Sequence, residues 1–133
     1  QDLAPLVQLE KLDLRLTEGV SGDLRGLASL VRLVYLDLCR AWVSGNLQSL
    51  APLSRLEHLN LCYTEVGGDV AGLASLVRLQ DVDLLLAARV SGNVMAFASL
   101  TKLEKLDLRG TAVTGSSAAL RRQLPDLRLL YDE

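Results

Sequence analysis

The sequence has few of the side chains that usually carry catalysis, metal binding or a bulky aromatic core. Its 133 residues include one histidine, two cysteines, one tryptophan and one phenylalanine. The interior must therefore be built from aliphatic side chains, and half of the residues are hydrophobic, which is enough for the core of one domain. We predict that the chain is not an enzyme, and that it has no catalytic residue, cofactor or metal site.

Long hydrophobic runs and an excess of one charge are also missing. No apolar run approaches the roughly 18 residues that a membrane-spanning helix needs. Lysine and arginine number 14 against 16 aspartates and glutamates, a net charge of −2. This balance gives no signal for binding nucleic acid or an anionic membrane surface. The expected partner is a protein.

What the sequence does contain is a repeat of 23 or 24 residues. Five units occupy residues 3–26, 27–49, 50–72, 73–96 and 97–119. Each unit carries the spacing Leu-x-x-Leu-x-Leu or a close variant, as at Leu9, Leu12 and Leu14. The apolar–polar alternation in this motif predicts a strand with one face buried. A period this short predicts a solenoid, in which each unit contributes one strand and one return segment.

Further columns of the repeat describe the return segment. A glycine recurs in every unit, which predicts a backbone position with positive φ or tight packing of successive coils. It is followed in every unit by a residue suited to capping a helical turn or to a turn at the start of the return segment. The two columns are Gly22, Gly45, Gly68, Gly92 and Gly115, and then Asp23, Asn46, Asp69, Asn93 and Ser116.

These motifs resemble the leucine-rich repeat family, and the Val-Ser-Gly-Asp/Asn-Leu stretch is similar to its plant-type subclass. The buried asparagine of that subclass is replaced here by Thr17, Ala41, Thr64, Ala87 and Thr111. The resemblance implies an α/β solenoid, a right-handed superhelix with a concave parallel β-sheet and short helical or 3₁₀ turns on the convex side. We expect the threonine hydroxyls to bond the backbone of a neighbouring coil, and backbone or water to serve the alanine positions.

We interpret residues 1–133 as a single domain in which residues 120–133 form a C-terminal capping strand. Leu124, Leu127 and Leu129 repeat the strand spacing, so Leu127 is expected opposite Leu106 in a sixth strand. The N-terminal end has no comparable cap, and self-association through Leu3 and Leu6 is expected there. Because the chain opens like the end of a preceding unit, we expect a fragment of a longer protein.

Side chains that point outward from the strands line the sheet face. One column is mainly acidic: Asp13, Asp37, Asn60, Asp83 and Asp107. Three interpretations stay open: solvated residues of the repeat consensus, a stripe that receives a basic segment of a partner, and a cation site. Carboxylates on a flat strand face diverge, which disfavours the cation site. A basic column, Arg32, Arg55, Arg78 and Lys102, is interpreted as a solvated turn edge.

The middle repeats depart from the consensus and hold the tryptophan and two of the three tyrosines. An exposed apolar and aromatic cluster ringed by charge is typical of an interaction hot spot. Local packing of Trp42 and Leu86 on the coil edge is the alternative. The candidate partner-binding residues are Tyr35, Cys39, Trp42, His58, Cys62, Tyr63, Leu85 and Leu86, together with Asp37 and Asp83.

Cys39 and Cys62 occupy the same register in adjacent repeats, at a strand spacing that a disulfide can bridge. In-register side chains point the same way rather than at each other, so two free thiols are the favoured interpretation. Free cysteines and the absence of an Asn-x-Ser/Thr sequon favour an intracellular location.

Three functions remain open. The favoured one is a non-enzymatic module that binds a protein on its concave sheet face. The first alternative is a structural subunit or segment of a larger assembly, docked by its N-terminal end. The second is a ligand-sensing receptor ectodomain. His58, Asn60 and Cys62 match the residue set of a cysteine hydrolase, but their spacing along one strand does not bring the thiol to the imidazole.

Overall fold

The computed structural model of the protein describes residues 7–15 and 21–132. Predictions that fall on Leu3, Leu6, Thr17 and Glu133 lie outside these residues. The described chain forms two parallel sheets, joined in each coil by a turn on one side and a short helix on the other. The strands are numbered β1 to β11 in chain order.

The first sheet contains the odd-numbered strands in the order β1-β3-β5-β7-β9-β11, and all of its pairs are parallel. Each strand has three residues, and the middle one points into the core: Leu36, Leu59, Val82 and Leu106 are almost fully buried. This confirms the predicted alternation. The strands are Lys11–Asp13, Tyr35–Asp37, His58–Asn60, Asp81–Asp83, Lys105–Asp107 and Arg128–Leu130.

The second sheet contains the even-numbered strands, also parallel. Its strands are Ser21–Asp23, Trp42–Asn46, Glu65–Asp69, Arg89–Asn93 and Ala112–Thr114. Sequence analysis did not predict this sheet. Its valines point inward, and Val66 and Val90 are fully buried between the two sheets.

Short helices on the convex side close each coil. Four 3₁₀ helices span Leu24–Leu27, Leu47–Leu50, Val70–Leu73 and Val94–Phe97. The side-chain oxygen of the residue before each helix accepts the N–H two residues later, as when Asn46 Oδ1 accepts from Gln48 at 2.8 Å. Asp23, Asn46, Asp69 and Asn93 are therefore the predicted caps.

Gly45 shows why each coil keeps a glycine. Its φ is +105°, in the region that disfavours side chains, and an added Cβ would lie 2.5 Å from Oδ1 of Asp23 in the preceding coil. Both predicted reasons for the glycine column, positive φ and tight packing of successive coils, are confirmed at this position.

The threonine column bonds differently from the prediction. The Thr64 hydroxyl donates to the carbonyl of Leu61 at 2.7 Å, within its own coil rather than to a neighbour. The turn after the strand brings this carbonyl within reach three residues back. At Ala41 the backbone N–H bonds the corresponding carbonyl of Leu38 at 2.9 Å, so backbone satisfies the alanine coils.

The C-terminal unit replaces the 3₁₀ helix with an α-helix, α1, over Ser117–Gln123. The Ser116 hydroxyl caps it by accepting the Ala119 N–H at 3.1 Å. A sixth strand is present, but its predicted register is wrong by two residues, because Leu129 rather than Leu127 pairs with Leu106. Leu127 is instead buried in the turn that follows α1, which keeps the coil at its usual length. Over residues 7–15 and 21–132, no helix is long and apolar enough to cross a membrane.

Candidate protein-interaction surface

The turns that follow strands β3, β5, β7 and β9 of the first sheet each have one residue in the left-handed region. The φ values are +65° at Arg40, +56° at Tyr63 and +58° at Leu86, and Gly110 occupies the same position in the next coil at +78°. This conformation costs an ordinary L-residue roughly 1–2 kcal/mol, whereas glycine adopts it freely. Three successive coils therefore keep a side chain at a position that favours glycine.

These side chains line a groove at the corner where the first sheet turns into the second. We call it the corner groove; it has a volume of about 760 Å³. Trp42 is 79% exposed beside it, and Tyr63 and Leu86 are each 43% exposed. The charged residues in its lining are Arg40 and Glu65, and Ala88 lies at its far end.

Contacts between successive coils connect residues that line the corner groove. The guanidinium of Arg40 lies over the Tyr63 ring, 4.5 Å from its centroid. The backbone N–H of Arg40 donates to Cys62 at 2.9 Å, that of Tyr63 to Leu85 at 2.9 Å, and that of Leu86 to Arg109 at 2.8 Å. Each left-handed residue is therefore tied to the next coil by its backbone, which fixes the direction in which its side chain leaves the turn.

Cys39 and Cys62 form a disulfide, with their Cα atoms 4.6 Å apart. The prediction of two free thiols is therefore wrong. Adjacent parallel strands bring the two Cα atoms within disulfide range, and at the strand ends the chains turn, so the two sulfurs are not held in parallel directions. Arg40 and Tyr63 directly follow the two cysteines, so the bond joins the residues next in sequence to this pair.

The acidic column has a structural role at the end of each strand. In every coil from Asp13 to Asp107 the side-chain oxygen accepts the backbone N–H two residues later, at 3.0–3.2 Å. Asn60 does this as well as the aspartates, because the turn requires an acceptor oxygen and not a charge. Asp37 and Asp107 are buried. Asp37 therefore does not present an exposed carboxylate to a partner. Its place among the candidate partner-binding residues had assumed that it does.

Asp83 and Asp107, in adjacent coils of this column, differ in their electrostatics. Burial tends to raise the pKa of Asp107, but hydrogen bonds from the Arg109 side chain and backbone outweigh it, so this pKa lies below its usual value. Burial raises the pKa of Asp83, and the Leu85 N–H offsets that only in part. The difference follows from the next outward residue, which is arginine in one coil and leucine in the other.

Tyr35 and His58 lie side by side on the concave sheet, with ring centroids 5.8 Å apart. Lys11 lies over the Tyr35 ring at 4.8 Å, and the Tyr35 hydroxyl donates to Asp37 at 3.4 Å. Burial, with the charges of Asp37 and Asp13, raises the pKa of Tyr35. This pair faces the concave side and does not line the corner groove.

The structure thus divides the predicted site. Trp42, Tyr63 and Leu86 come together at the corner groove, while Tyr35, His58 and Asp83 line the concave face. Leu85 is partly buried between these two surfaces. Sequence analysis missed Arg40. The sequence feature that could have indicated this residue is its position directly before the column of threonines and alanines.

The cysteine of the hydrolase-like set is not free, since the Cys62 sulfur is bonded to Cys39. Over the described part of the chain, no group of three or more histidine, cysteine, aspartate or glutamate residues could hold a metal ion.

Comparison with known proteins identifies the class. Similar solved structures include internalin C2 from Listeria monocytogenes, with a TM-score of 0.77 and 25% identity over 97% of this chain. A TDR receptor has a TM-score of 0.82 and 27% identity over 97%. The ectodomain of the Arabidopsis thaliana receptor kinase GASSHO1/SCHENGEN3, in complex with CASPARIAN STRIP INTEGRITY FACTOR 2, has a TM-score of 0.76 and 26% identity over 96%.

The chain has the leucine-rich-repeat fold. It spans 54% of the internalin, 23% of the TDR receptor and 16% of the receptor kinase ectodomain. No protein-family model and no curated sequence matches it. Its structural neighbours indicate a protein-binding or receptor-like repeat module, of a kind that is typically non-enzymatic.

Proposed function

We propose that this chain is a non-enzymatic module that binds a protein partner through the corner groove, with Trp42 as the central contact. The observation that carries the proposal is the 79% exposure of this side chain next to an apolar groove. Tryptophan, tyrosine and arginine are the residues most enriched at interface hot spots. All three occur together here, at Trp42, Tyr63 and Arg40.

Backbone conformation supports the same surface. Arg40, Tyr63 and Leu86 each occupy a left-handed position at a cost in stability, and all three line the corner groove. Unfavourable conformations that persist in a fold concentrate at functional sites, and the inference runs from the observed conformation to a function. A partner seated in the groove would also reach the adjoining concave sheet.

This proposal moves the predicted binding site. Sequence analysis centred it on the concave face and gave the acidic column a role in orienting a basic segment. In the structure the carboxylates of that column accept backbone N–H groups at the strand ends, and Arg109 is bonded to Asp107. A basic segment that binds the concave face remains a prediction.

A displayed library of short random peptides, selected on the immobilised chain, tests the proposed function. We expect selected peptides whose affinity falls by about 2 kcal/mol in Trp42→Ala and Tyr63→Ala, as is usual for a hot spot. Because the Trp42 side chain is exposed, Trp42→Ala should change the midpoint of urea unfolding only a little.

Val77→Ala is the matched control, since Val77 is also a large apolar residue, 56% exposed, and lies outside the corner groove. Affinity should be unchanged in this variant. If every selected peptide binds Trp42→Ala as tightly as the unchanged chain, the groove is not the binding site, and docking through another part of the chain is favoured.

A receptor-like ectodomain is the second candidate, favoured by the Cys39–Cys62 disulfide. Disulfides persist mainly in secreted and extracellular proteins. The prediction of an intracellular location depended partly on free thiols, and that part of the argument no longer holds. Thiol labelling of the protein from its native source, with and without reductant, tests this candidate. Labelling of both cysteines without reductant would contradict it.

A further inference from the structure

We infer that the corner groove recognises a partner segment in which an aspartate or glutamate lies next to an apolar side chain, with the Arg40 guanidinium donating hydrogen bonds to the carboxylate. This inference rests on the proposed function and names the chemistry of the partner.

The charges of the groove point to an acidic ligand. Of its two charged lining residues, Glu65 is paired with Arg89 at 3.3 Å. Arg40 forms no ion pair with any residue in 7–15 and 21–132. The groove therefore presents one uncompensated positive charge among exposed apolar and aromatic side chains.

The geometry of Arg40 suits a carboxylate. A guanidinium that lies over an aromatic ring can still bind a carboxylate through two hydrogen bonds. The guanidinium carbon of Arg40 lies over the Tyr63 ring, 4.5 Å from its centroid, and the Arg40 backbone N–H donates to the Cys62 carbonyl in the next coil. The position of the charge is thus set before a ligand arrives, which lowers the entropic cost of binding.

The groove also offers exposed apolar and aromatic side chains that the apolar residue of the partner can contact. Trp42, Tyr63 and Leu86 all line this one groove, and all three are exposed. An apolar residue beside the acidic one would contact these rings while the carboxylate meets Arg40. A basic residue in place of the acidic one would meet the same positive charge and be rejected.

The experiment uses peptides selected from the random library and resynthesised in three forms, with the acidic residue kept, changed to its amide or changed to lysine. Trp42 is the only tryptophan of the chain, so its fluorescence reports occupancy of the groove directly. We expect the amide and lysine forms to bind the unchanged chain about tenfold or more weakly than the acidic form.

A charge reversal sharpens the test. In Arg40→Glu the acidic peptide should lose about tenfold or more in affinity, and the lysine form should become the tighter ligand. Arg78→Glu is the matched control, because it makes the same change at an exposed residue outside the groove. Urea unfolding checks that both variants fold, and Arg40→Gln serves as a second variant if Arg40→Glu does not.

The possible outcomes separate this inference from the proposed function. Peptides that depend on Trp42 but bind equally well in acidic and amide forms would overturn the inference and leave the proposed function standing. Equal losses in Arg40→Glu and Arg78→Glu would also overturn it, because the effect would come from net charge. If no selected peptide depends on Trp42, the inference and the proposed binding site both fail.

Discussion

The turns after strands β3, β5, β7 and β9 have the same left-handed backbone but are built from different residues. The last of these turns uses Gly110, whereas the three before it use Arg40, Tyr63 and Leu86. Glycine adopts this left-handed backbone conformation at the lowest energetic cost. The three side chains therefore serve something other than the turn, and they are the side chains that line the corner groove.

The contrast between Gly110 and the three side chains also shows where the corner groove ends along the solenoid. An added Cβ at Gly110 would collide with the Leu86 side chain, so Leu86 lies on the surface that the glycine leaves open. Glycine is therefore required at position 110, because the Leu86 side chain of the preceding coil occupies the space that a Cβ would need.

Reduction of the Cys39–Cys62 disulfide should have the largest effect, because it joins two of the coils that keep a side chain at the turn. The two cysteines are 23 residues apart, and a closed loop of that length is worth roughly 3 kcal/mol in the unfolded-state entropy model. Urea unfolding with and without dithiothreitol measures the loss. The double variant Cys39→Ala, Cys62→Ala is the control and should not respond to the reductant. Equal midpoints for the oxidised and reduced chain would contradict the prediction.

Gly110→Ala should lower the free energy of unfolding by about 2 kcal/mol, because the new methyl group meets Leu86 and the φ of +78° disfavours a side chain. Gly26→Ala is the matched control, since Gly26 has no positive φ and open space around its Cβ position. That variant should change stability by no more than about 1 kcal/mol, and in the stabilising direction. Similar urea midpoints for the two variants would show that the turn does not require glycine in the last coil.

The charges next to the turn should respond to pH in opposite directions. The pKa of Asp107 lies below its usual value of 3.8, so its charge stabilises the fold above that pH, and the contribution is lost as the pH falls through the folded pKa. The pKa of Asp83 is raised above 3.8, so its charge disfavours the fold at neutral pH, and protonation through the folded pKa relieves this.

Asp107→Asn should therefore cost on the order of 1 kcal/mol at pH 7 and less at a pH below the folded pKa of Asp107, whereas Asp83→Asn should leave stability equal or raise it at pH 7. Asn60 shows that an amide oxygen can accept the turn N–H at this position, so both variants keep that hydrogen bond. Urea midpoints at the two pH values measure the effect. A loss of the same size in both variants would mean that Arg109 does not distinguish the two coils.

The sequence predicted the features that repeat in every coil, because each of them follows from local chemistry. The strand alternation, the capping Asp23 and Asn46, and the positive φ of Gly45 were all visible as columns. The role of Asp37 was not, because apolar–polar alternation marks a residue as outward-facing and does not show that its carboxylate turns back to the Cys39 N–H.

The corner groove was predicted only in part, for a related reason. Trp42 and Tyr63 stood out by residue type, but the second sheet and the left-handed turns decide which surface they share. The Cys39–Cys62 bond was missed because ideal parallel strands direct side chains the same way, while these residues lie where the strands turn. Leu127 was placed opposite Leu106 because spacing alone does not distinguish a leucine in a strand from one that packs under the end of α1.

The smallest effect should come from Tyr63, where strain and packing oppose each other. Tyr63→Ala loses the stack with Arg40, worth about 0.5–1 kcal/mol at an exposed site, and keeps the unfavourable φ. Tyr63→Gly loses the same stack but relieves the backbone, so it should be about 1 kcal/mol more stable than the alanine variant and close to the unchanged chain. Urea unfolding of the three proteins measures this gap, and peptide binding should be weakened equally in both variants. A glycine variant no more stable than the alanine variant would mean that residue 63 carries no backbone strain, and the contrast with Gly110 would then reflect only the space that Leu86 needs.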